Sequence, residues 1–370
     1  MKKLNWKRIV GLSTAVFAVI VCVVWNNAQE ISKSNTHKIM VFVPMTGKLA
    51  SAGLSEGRGV EVVVDDWNKK GGLLGKKLEV VWEDTRADIT EALTIYQRNN
   101  LSENKPLGIY SIVSSVAMNL KNFTEKDNIP HIAAVGAENF SKAPHAYALR
   151  NFNSANIVGK ELIRYIKTTY PDRRIVYFYE NSDHSISCKA AMEKEIDETM
   201  TVKVLDFDPT MNNFRDLIYK ANPNNDEDIV IITGIGSYLG ILIRQLREFG
   251  YTGLIMGDAN LNIAGVHSYA EKAMNGVIIL DYQQYDDNAY CKHVNEAFTK
   301  KYGEPLPDVG YYLAYQGIDT LLAFYKSKGT TNIPNLTEAM EGFIHDGCLG
   351  KVTVKNGELN YPLSFRTISE

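Results

Sequence analysis

The chain has 370 residues, enough for two domains with cores of their own. Hydrophobic residues make up 45% and charged residues 22%, ordinary values for globular protein, and no low-complexity stretch interrupts them. A net charge of −3, with no basic stripe interleaved with aromatics, gives no reason to expect nucleic acid as a partner.

Lys2, Lys3, Lys7 and Arg8 precede an uncharged apolar run from Ile9 to Trp25. Basic residues ahead of such a run orient it with the N-terminus inside. The run is about 17 residues, at the short limit for a spanning helix and slightly long for a signal-peptide core. Three readings stay open: an uncleaved membrane anchor, a cleaved signal ending at Ala28, and a lipid anchor on Cys22. The bulky Val19, Ile20 and Val21 suit the last one poorly. Each reading puts the rest of the chain outside the cytoplasm, in the periplasm or at the cell surface. Of the later cysteines, Cys188, Cys291 and Cys348, at most one pair can bridge, and Cys291 with Cys348 is the better pair. No Cys-x-x-Cys or paired His/Cys spacing suggests zinc, and no metal or other cofactor is expected.

From Lys38 the pattern alternates. Lys38–Pro44 reads as a strand that stops in the loop Met45–Gly53, which holds Thr46. Val60, Val63, Val64 and Trp67 then fall on one face of a helix, and a Gly-rich turn leads to a second strand. Residues 106–113 read as a strand ending at Ser114-Ser115, followed by a helix to about Asp127. His131–Ala137 is a strand whose exit is Val135-Gly136-Ala137. Further strands are expected at 174–179, 202–207, 228–233, 254–257 and 276–280, separated by helices. The tail carries two short strands around Asn356-Gly357, a type I′ hairpin signal. Strands alternating with helices mean parallel sheets with right-handed crossovers, and there are too many units for one sheet. Two similar α/β halves are expected, with a boundary near Asn151–Asn156.

The strand exits carry the candidate chemistry, because ligands bind there in open α/β sheets. Ser114 and Ser115 either cap a helix or hold an anion with free N–H groups and a hydroxyl. Val135, Gly136 and Ala137 offer unobstructed backbone. Gly234-x-Gly236-Ser237 imitates a dinucleotide fingerprint, but its third glycine is one residue late, so a tight strand-to-helix turn is the plainer reading. His184, near Glu180 and Asp183, is a loop residue or a ligand contact; no nucleophile signature accompanies it, and no enzyme is expected. Asp258 could pair with a ligand ammonium or cap the next helix. Tyr282, Tyr285, Tyr311 and Tyr312 could wall a cleft or pack a core.

Several ordered stretches resemble the leucine/isoleucine/valine-binding family of type I periplasmic binding proteins, the substrate-binding proteins of ABC transporters. They are the Thr46-Gly47 loop with its helix and Gly-Gly-x-x-Gly turn, SSVAMNL…NIPHIAA, RQLREFGYTGLIMGD, YQGIDTLLAFYKSKG and GKVTVKNGEL, together spanning His37 to Ser369. The resemblance implies two Rossmann-like lobes with parallel sheets, joined by a hinge of three crossovers, that close on a small polar ligand. After a leader of residues 1–36, lobe 1 would hold 37–153 plus 283–346, and lobe 2 would hold 154–282 plus 347–370. The implied partner is an ABC permease or, with an uncleaved anchor, a membrane-bound sensor. The family's carboxylate-binding serine matches Ser114. The threonine that helps hold an amino-acid head group is Ala137 here, and tyrosines of the second lobe correspond to His184 and Ile235. The acidic residue that meets the α-ammonium falls at or beside Asp258. If Asp258 faces the cleft, an amino acid or amine fits; if not, a different small polar or carboxylated molecule does.

Overall fold

The computed structural model describes residues 36–142, 145–283, 288–304 and 308–369. The apolar run Ile9–Trp25, Cys22 within it, and Tyr285 lie outside the described residues. Among the described residues no helix is long and apolar enough to cross a membrane.

Strand β1 (Thr36–Val43) sets the layers of the first lobe. Ile39, Val41 and Val43 pack into one core, and Met40 and Phe42 into another. Side chains alternate faces along a strand, so a strand apolar at every position must be covered on both sides. Helix α1 (Ala50–Lys69) covers one side and buries Val60, Val63, Val64 and Trp67, the face its spacing predicts. Helices α2 (Ile89–Arg98) and α3 (Ser114–Asp127) cover the other. Of these, α2 has no counterpart among the expected elements. Strands β2 (Lys77–Asp84), β3 (Gly108–Ile112), β4 (His131–Ala134) and β5 (Ala148–Arg150) complete a parallel sheet in the order β2-β1-β3-β4-β5.

The second lobe repeats that winding. Strands β6 (Arg174–Glu180), β7 (Val202–Phe207), β8 (Asp228–Thr233), β9 (Leu254–Asp258) and β10 (Ile278–Tyr282) lie in the order β7-β6-β8-β9-β10. Ile175, Tyr177, Ile229 and Ile231 face helices α4 (Ala155–Thr169) and α5 (Asp183–Glu195). Val176, Phe178, Val230 and Ile232 face α6 (Arg215–Ala221), α7 (Tyr238–Glu248) and α8 (Ala264–Ala270). The chain then returns to the first core with α9 (Ala289–Tyr302) and α10 (Val309–Lys328), and a short α11 (Leu336–Ala339) comes next.

The tail departs from the expected assignment of 347–370 to the second lobe. Strands β11 (Ile344–His345), β12 (Val352–Lys355) and β13 (Glu358–Asn360) extend the first sheet beyond β5. Only β14 (Leu363–Thr367) joins the second, antiparallel to β10. A tight turn makes the difference. Asn356 (φ 51°) and Gly357 (φ 71°) form the predicted two-residue hairpin, so β12 and β13 stay together, and β13 runs parallel to β5.

The three connections between the lobes meet. Tyr282, at the end of β10, packs its ring edge-on to Phe152 and to Tyr361, with centroids 5.8 and 5.5 Å away. The Asn153 N–H donates to the Tyr282 hydroxyl (3.0 Å), and the Tyr361 hydroxyl donates to Asn151 Oδ1 (2.5 Å).

Cys291 of α9 is disulfide-bonded to Cys348, while Cys188 is free and buried. The bridge closes a loop of 57 residues of separation inside the first lobe. Loop-closure entropy for that length corresponds to about 4 kcal/mol. A Cys291→Ala/Cys348→Ala variant should therefore unfold at clearly lower denaturant in a chemical-denaturation experiment. An unchanged midpoint would mean that the bridge contributes nothing to the fold.

Candidate functional site

In each lobe the winding reverses between two neighbouring strands, β1 and β3 in the first and β6 and β8 in the second. Ligand crevices form outside the carboxyl ends of strands at such points. The two crevices face each other across a cavity of about 550 Å³. The first lobe contributes Val113-Ser114-Ser115, Ala134-Val135-Gly136, Leu49 and Phe152; the second contributes Glu180–His184, Ile186, Ile235 and Asn260.

Helix ends dominate this cavity. Helix α3 begins at Ser114 behind Val113, and no side chain caps it. Val113 has φ +70°, a conformation that a β-branched residue adopts only under strain of roughly 1–3 kcal/mol. The strained turn brings the first N–H groups of α3 to the cavity wall. Helix α5 begins at Asp183 in the opposite lobe, again without a side-chain cap. Each helix start carries a partial positive charge and unpaired donors.

His184 reaches across the cleft. Its Nε2 lies 2.7 Å from Asp258 Oδ2, 3.2 Å from Asn260 Nδ2 and 3.8 Å from Cys188 Sγ. Burial alone would lower the imidazole pKa, but the sulfur of Cys188 and the carboxylate of Asp258 outweigh it and hold the ring well above its usual value. Its Nδ1 edge lies against Gly136 of the first lobe, where an added Cβ would stand 2.1 Å from Nδ1. Only glycine leaves room for the ring at that point. Phe152 meets the same ring edge-on at 6.0 Å.

Two buried carboxyl groups border the cavity. Burial pushes Glu56 well above the usual carboxylate range; the Tyr110 hydroxyl, donating to it at 2.5 Å, works against this, and the nearby Asp308 adds to it. Glu180 is also raised by burial, while the Tyr238 hydroxyl and the Ile235 N–H both donate to it at 2.6 Å. Sequence reasoning misses Glu56. Its signal is an acidic residue four positions before Val60, on the apolar face of α1.

Among the residues expected at the site, Ser114, Ser115, Val135, Gly136 and His184 line the cavity. The others do not. Thr46 Oγ1 donates to Asp84 Oδ2 at 2.8 Å, outside the cavity. Ala137 is buried, and its carbonyl accepts from Arg150 Nη1 at 3.0 Å. Gly236 (φ +139°) packs against Tyr238 and Leu49, and Ser237 starts α7 against Gly265. Asp258 lies beneath His184 with its carboxylate taken by that ring and by the Asn260 N–H. Tyr282 belongs to the connections, and Tyr311 and Tyr312 to the first core. The apolar wall of Leu49, Phe152, Ile186 and Ile235 has no single signal in the sequence, because it comes from four separate elements. Beside the cavity the lobes touch directly: Lys48 Nζ donates to the Thr210 carbonyl at 2.7 Å, and the Ala264 N–H donates to Asp308 Oδ2 at 3.0 Å.

Residues 36–369 match the sequence profile of a family described as periplasmic binding protein. A leucine-, isoleucine-, valine-, threonine- and alanine-binding protein of Pseudomonas aeruginosa is 20% identical over 311 residues, covering 83% of this chain and 82% of that protein. Two solved structures share the fold. One is the branched-chain amino acid transporter substrate-binding protein of Streptococcus pneumoniae in complex with isoleucine, with a TM-score of 0.80, 19% identity and coverage of 90% and 96%. The other is an ABC transporter solute-binding protein of Rhodopseudomonas palustris in complex with 3,4-dihydroxybenzoic acid, with a TM-score of 0.77, 16% identity and coverage of 91% and 94%.

The raised Glu56 has a pH signature. A group favoured in its neutral form by folding stabilises fully below its ordinary pKa of 4.5 and loses that contribution as pH rises through the higher folded value. Glu56→Gln stays neutral and can still accept from Tyr110. Its unfolding temperature should match the native protein in acid and exceed it increasingly toward alkaline pH. Equal destabilisation at every pH would show that folding does not raise the Glu56 pKa.

Proposed function

We propose, since this chain belongs to the periplasmic binding protein family, that it is the extracytoplasmic solute receptor of an ABC-type uptake system and that its solute is a small organic carboxylate with an apolar body. The observation that carries this reading is the pair of uncapped helix starts, α3 and α5, that border one cavity from opposite lobes. Free N–H groups and the helix dipole favour an anion there. Ser114 and Ser115 add hydroxyl donors, and the His184 ring closes from the second lobe. Leu49, Phe152, Ile186 and Ile235 receive the apolar part.

An α-amino acid needs a carboxylate for its ammonium, since a buried ammonium without one is costly. Asp258 is engaged by His184 and Asn260, and burial favours the neutral forms of Glu56 and Glu180. That supports a solute closer to the dihydroxybenzoate of one relative than to the isoleucine of the other. The solute would touch both lobes only when they are closed, so binding would shift the population toward closure. The lobes are residues 37–153 with 283–360 and residues 154–282 with 363–369, moving about the Phe152–Tyr282–Tyr361 contact. If the apolar run 9–25 stays uncleaved, it would tether the receptor to the cytoplasmic membrane, which also suits a receptor that signals to a membrane-bound partner.

A thermal-shift screen of the purified protein distinguishes the solutes. A ligand at 100 times its Kd stabilises by about 2.7 kcal/mol, a clear rise in unfolding temperature. Aromatic and branched aliphatic carboxylates should give the largest shifts and free amino acids small ones. If leucine or isoleucine shifted most, the reading of Asp258 would be wrong. Ser114→Ala should weaken the best carboxylate about tenfold, the cost of one hydrogen bond to a charged group. Unchanged affinity would remove Ser114 from the site.

A further inference from the structure

We propose that His184, Cys188 and Asp258 form a binding site for one divalent transition-metal ion of the zinc type, beneath the second-lobe wall of the cavity. Helix α5 sets His184 and Cys188 four residues apart, one turn along the same face. The end of β9 brings Asp258 to the same point. The three ligand atoms lie within 4.8 Å of one another, and all three residues are buried. Nitrogen, thiolate sulfur and carboxylate oxygen together are a donor set suited to zinc or cobalt rather than to calcium or magnesium.

Hydrogen bonding alone accounts poorly for this arrangement. Asp258 Oδ2, Cys188 Sγ and the Asn260 amide all approach the same ring nitrogen, Nε2. The ring N–H donates to Asp258 Oδ2, which also accepts from Asn260 Nδ2 at 3.3 Å, so Cys188 Sγ, 3.8 Å from Nε2, gains little from hydrogen bonding. A cation at their common centre engages all of them. The same convergence excludes a nucleophile relay, in which the thiol and the carboxylate must meet opposite ring nitrogens. Bond lengths of ~2.0–2.1 Å to nitrogen and oxygen and ~2.3 Å to sulfur in a tetrahedral site put ligand atoms roughly 3.3–3.6 Å apart. The Nε2–Sγ separation of 3.8 Å is close to that value, and the Nε2–Oδ2 separation of 2.7 Å requires Asp258 to withdraw by roughly half an ångström. The Asn260 amide, turned to present its oxygen, supplies a fourth ligand. Metal on Nε2 fixes the proton on Nδ1, the edge that faces Gly136, so the ring remains a donor on the cavity side. Binding releases the thiol proton and the proton on Nε2. The site stands whether or not the solute is a carboxylate.

Cobalt(II) is the probe. The full chain, stripped with a chelator, is titrated with cobalt chloride and followed by absorption, with metal content read by elemental analysis. One equivalent should bind with the thiolate-to-cobalt charge-transfer band and the intense visible bands of a tetrahedral site, and zinc should displace it. Cys188→Ser and Cys188→Ala, each checked for fold by circular dichroism, should lose the charge-transfer band. Asp258→Asn should weaken cobalt at least tenfold. No stoichiometric uptake, or uptake with the same spectrum in both Cys188 variants, overturns the proposal. Carboxylate binding by the stripped protein is measured apart, so failure of the metal site and failure of the solute reading remain distinct outcomes.

Discussion

Everything at the cleft depends on one geometric constraint: a parallel strand followed by a right-handed crossover leaves the next helix starting at the strand's carboxyl end. Five such strands in each sheet put their exits on one edge, and the two edges are opposed. The helix starts that gather there have N–H groups with no partner inside the helix. At α3 and α5 no side chain supplies one. The architecture thus delivers donors to the cavity before any residue is chosen for its chemistry. Side chains then decide what those donors meet. Glu56 and Glu180 add carboxyl groups that burial biases toward neutrality, and His184 brings its own counter-ion in Asp258.

Much of this is legible in the sequence because it is local. The i, i+3, i+4 spacing from Val60 to Trp67 buries the face it predicts. Most strands run within a residue or two of the apolar stretches, and Asn356-Gly357 takes positive φ at both positions, as a two-residue hairpin needs. The failures are non-local. The tail divides between the lobes against expectation because hairpin chemistry says that two strands pair with each other, not which sheet they extend. Asp258 is expected at the cleft because it ends a strand, but its direction is set by His184, 74 residues earlier. The cavity's apolar wall is assembled from four segments that share no pattern. Glu56, on helix α1, is hidden because its partner Tyr110 sits 54 residues later, on strand β3.

The contact between His184 and Gly136 shows how little separates one specificity from another in such a site. The ring belongs to the second lobe, yet its Nδ1 edge rests on the backbone of the first. A side chain at position 136 would push the ring away and with it the carboxylate beneath. The buried imidazole–carboxylate pair resists such displacement, because separating the partners leaves a charge in a low-dielectric interior. Ring, glycine and Asp258 therefore act as one unit, and a change at Asp258 alters the cavity from a position outside its lining.

The division of the tail has a consequence for the order in which the chain can become a protein. The second core draws mainly on the contiguous stretch from Ala155 to Ile279 and can assemble as soon as that stretch emerges. The first core opens with Ile39 but also requires Tyr361, and its sheet needs β13 to cover the edge at β5. During synthesis, the lobe that begins first thus waits for β13, and that strand is followed almost at once by β14, which laces the second sheet. Until β13 appears, the early half of the chain remains an open sheet awaiting its edge.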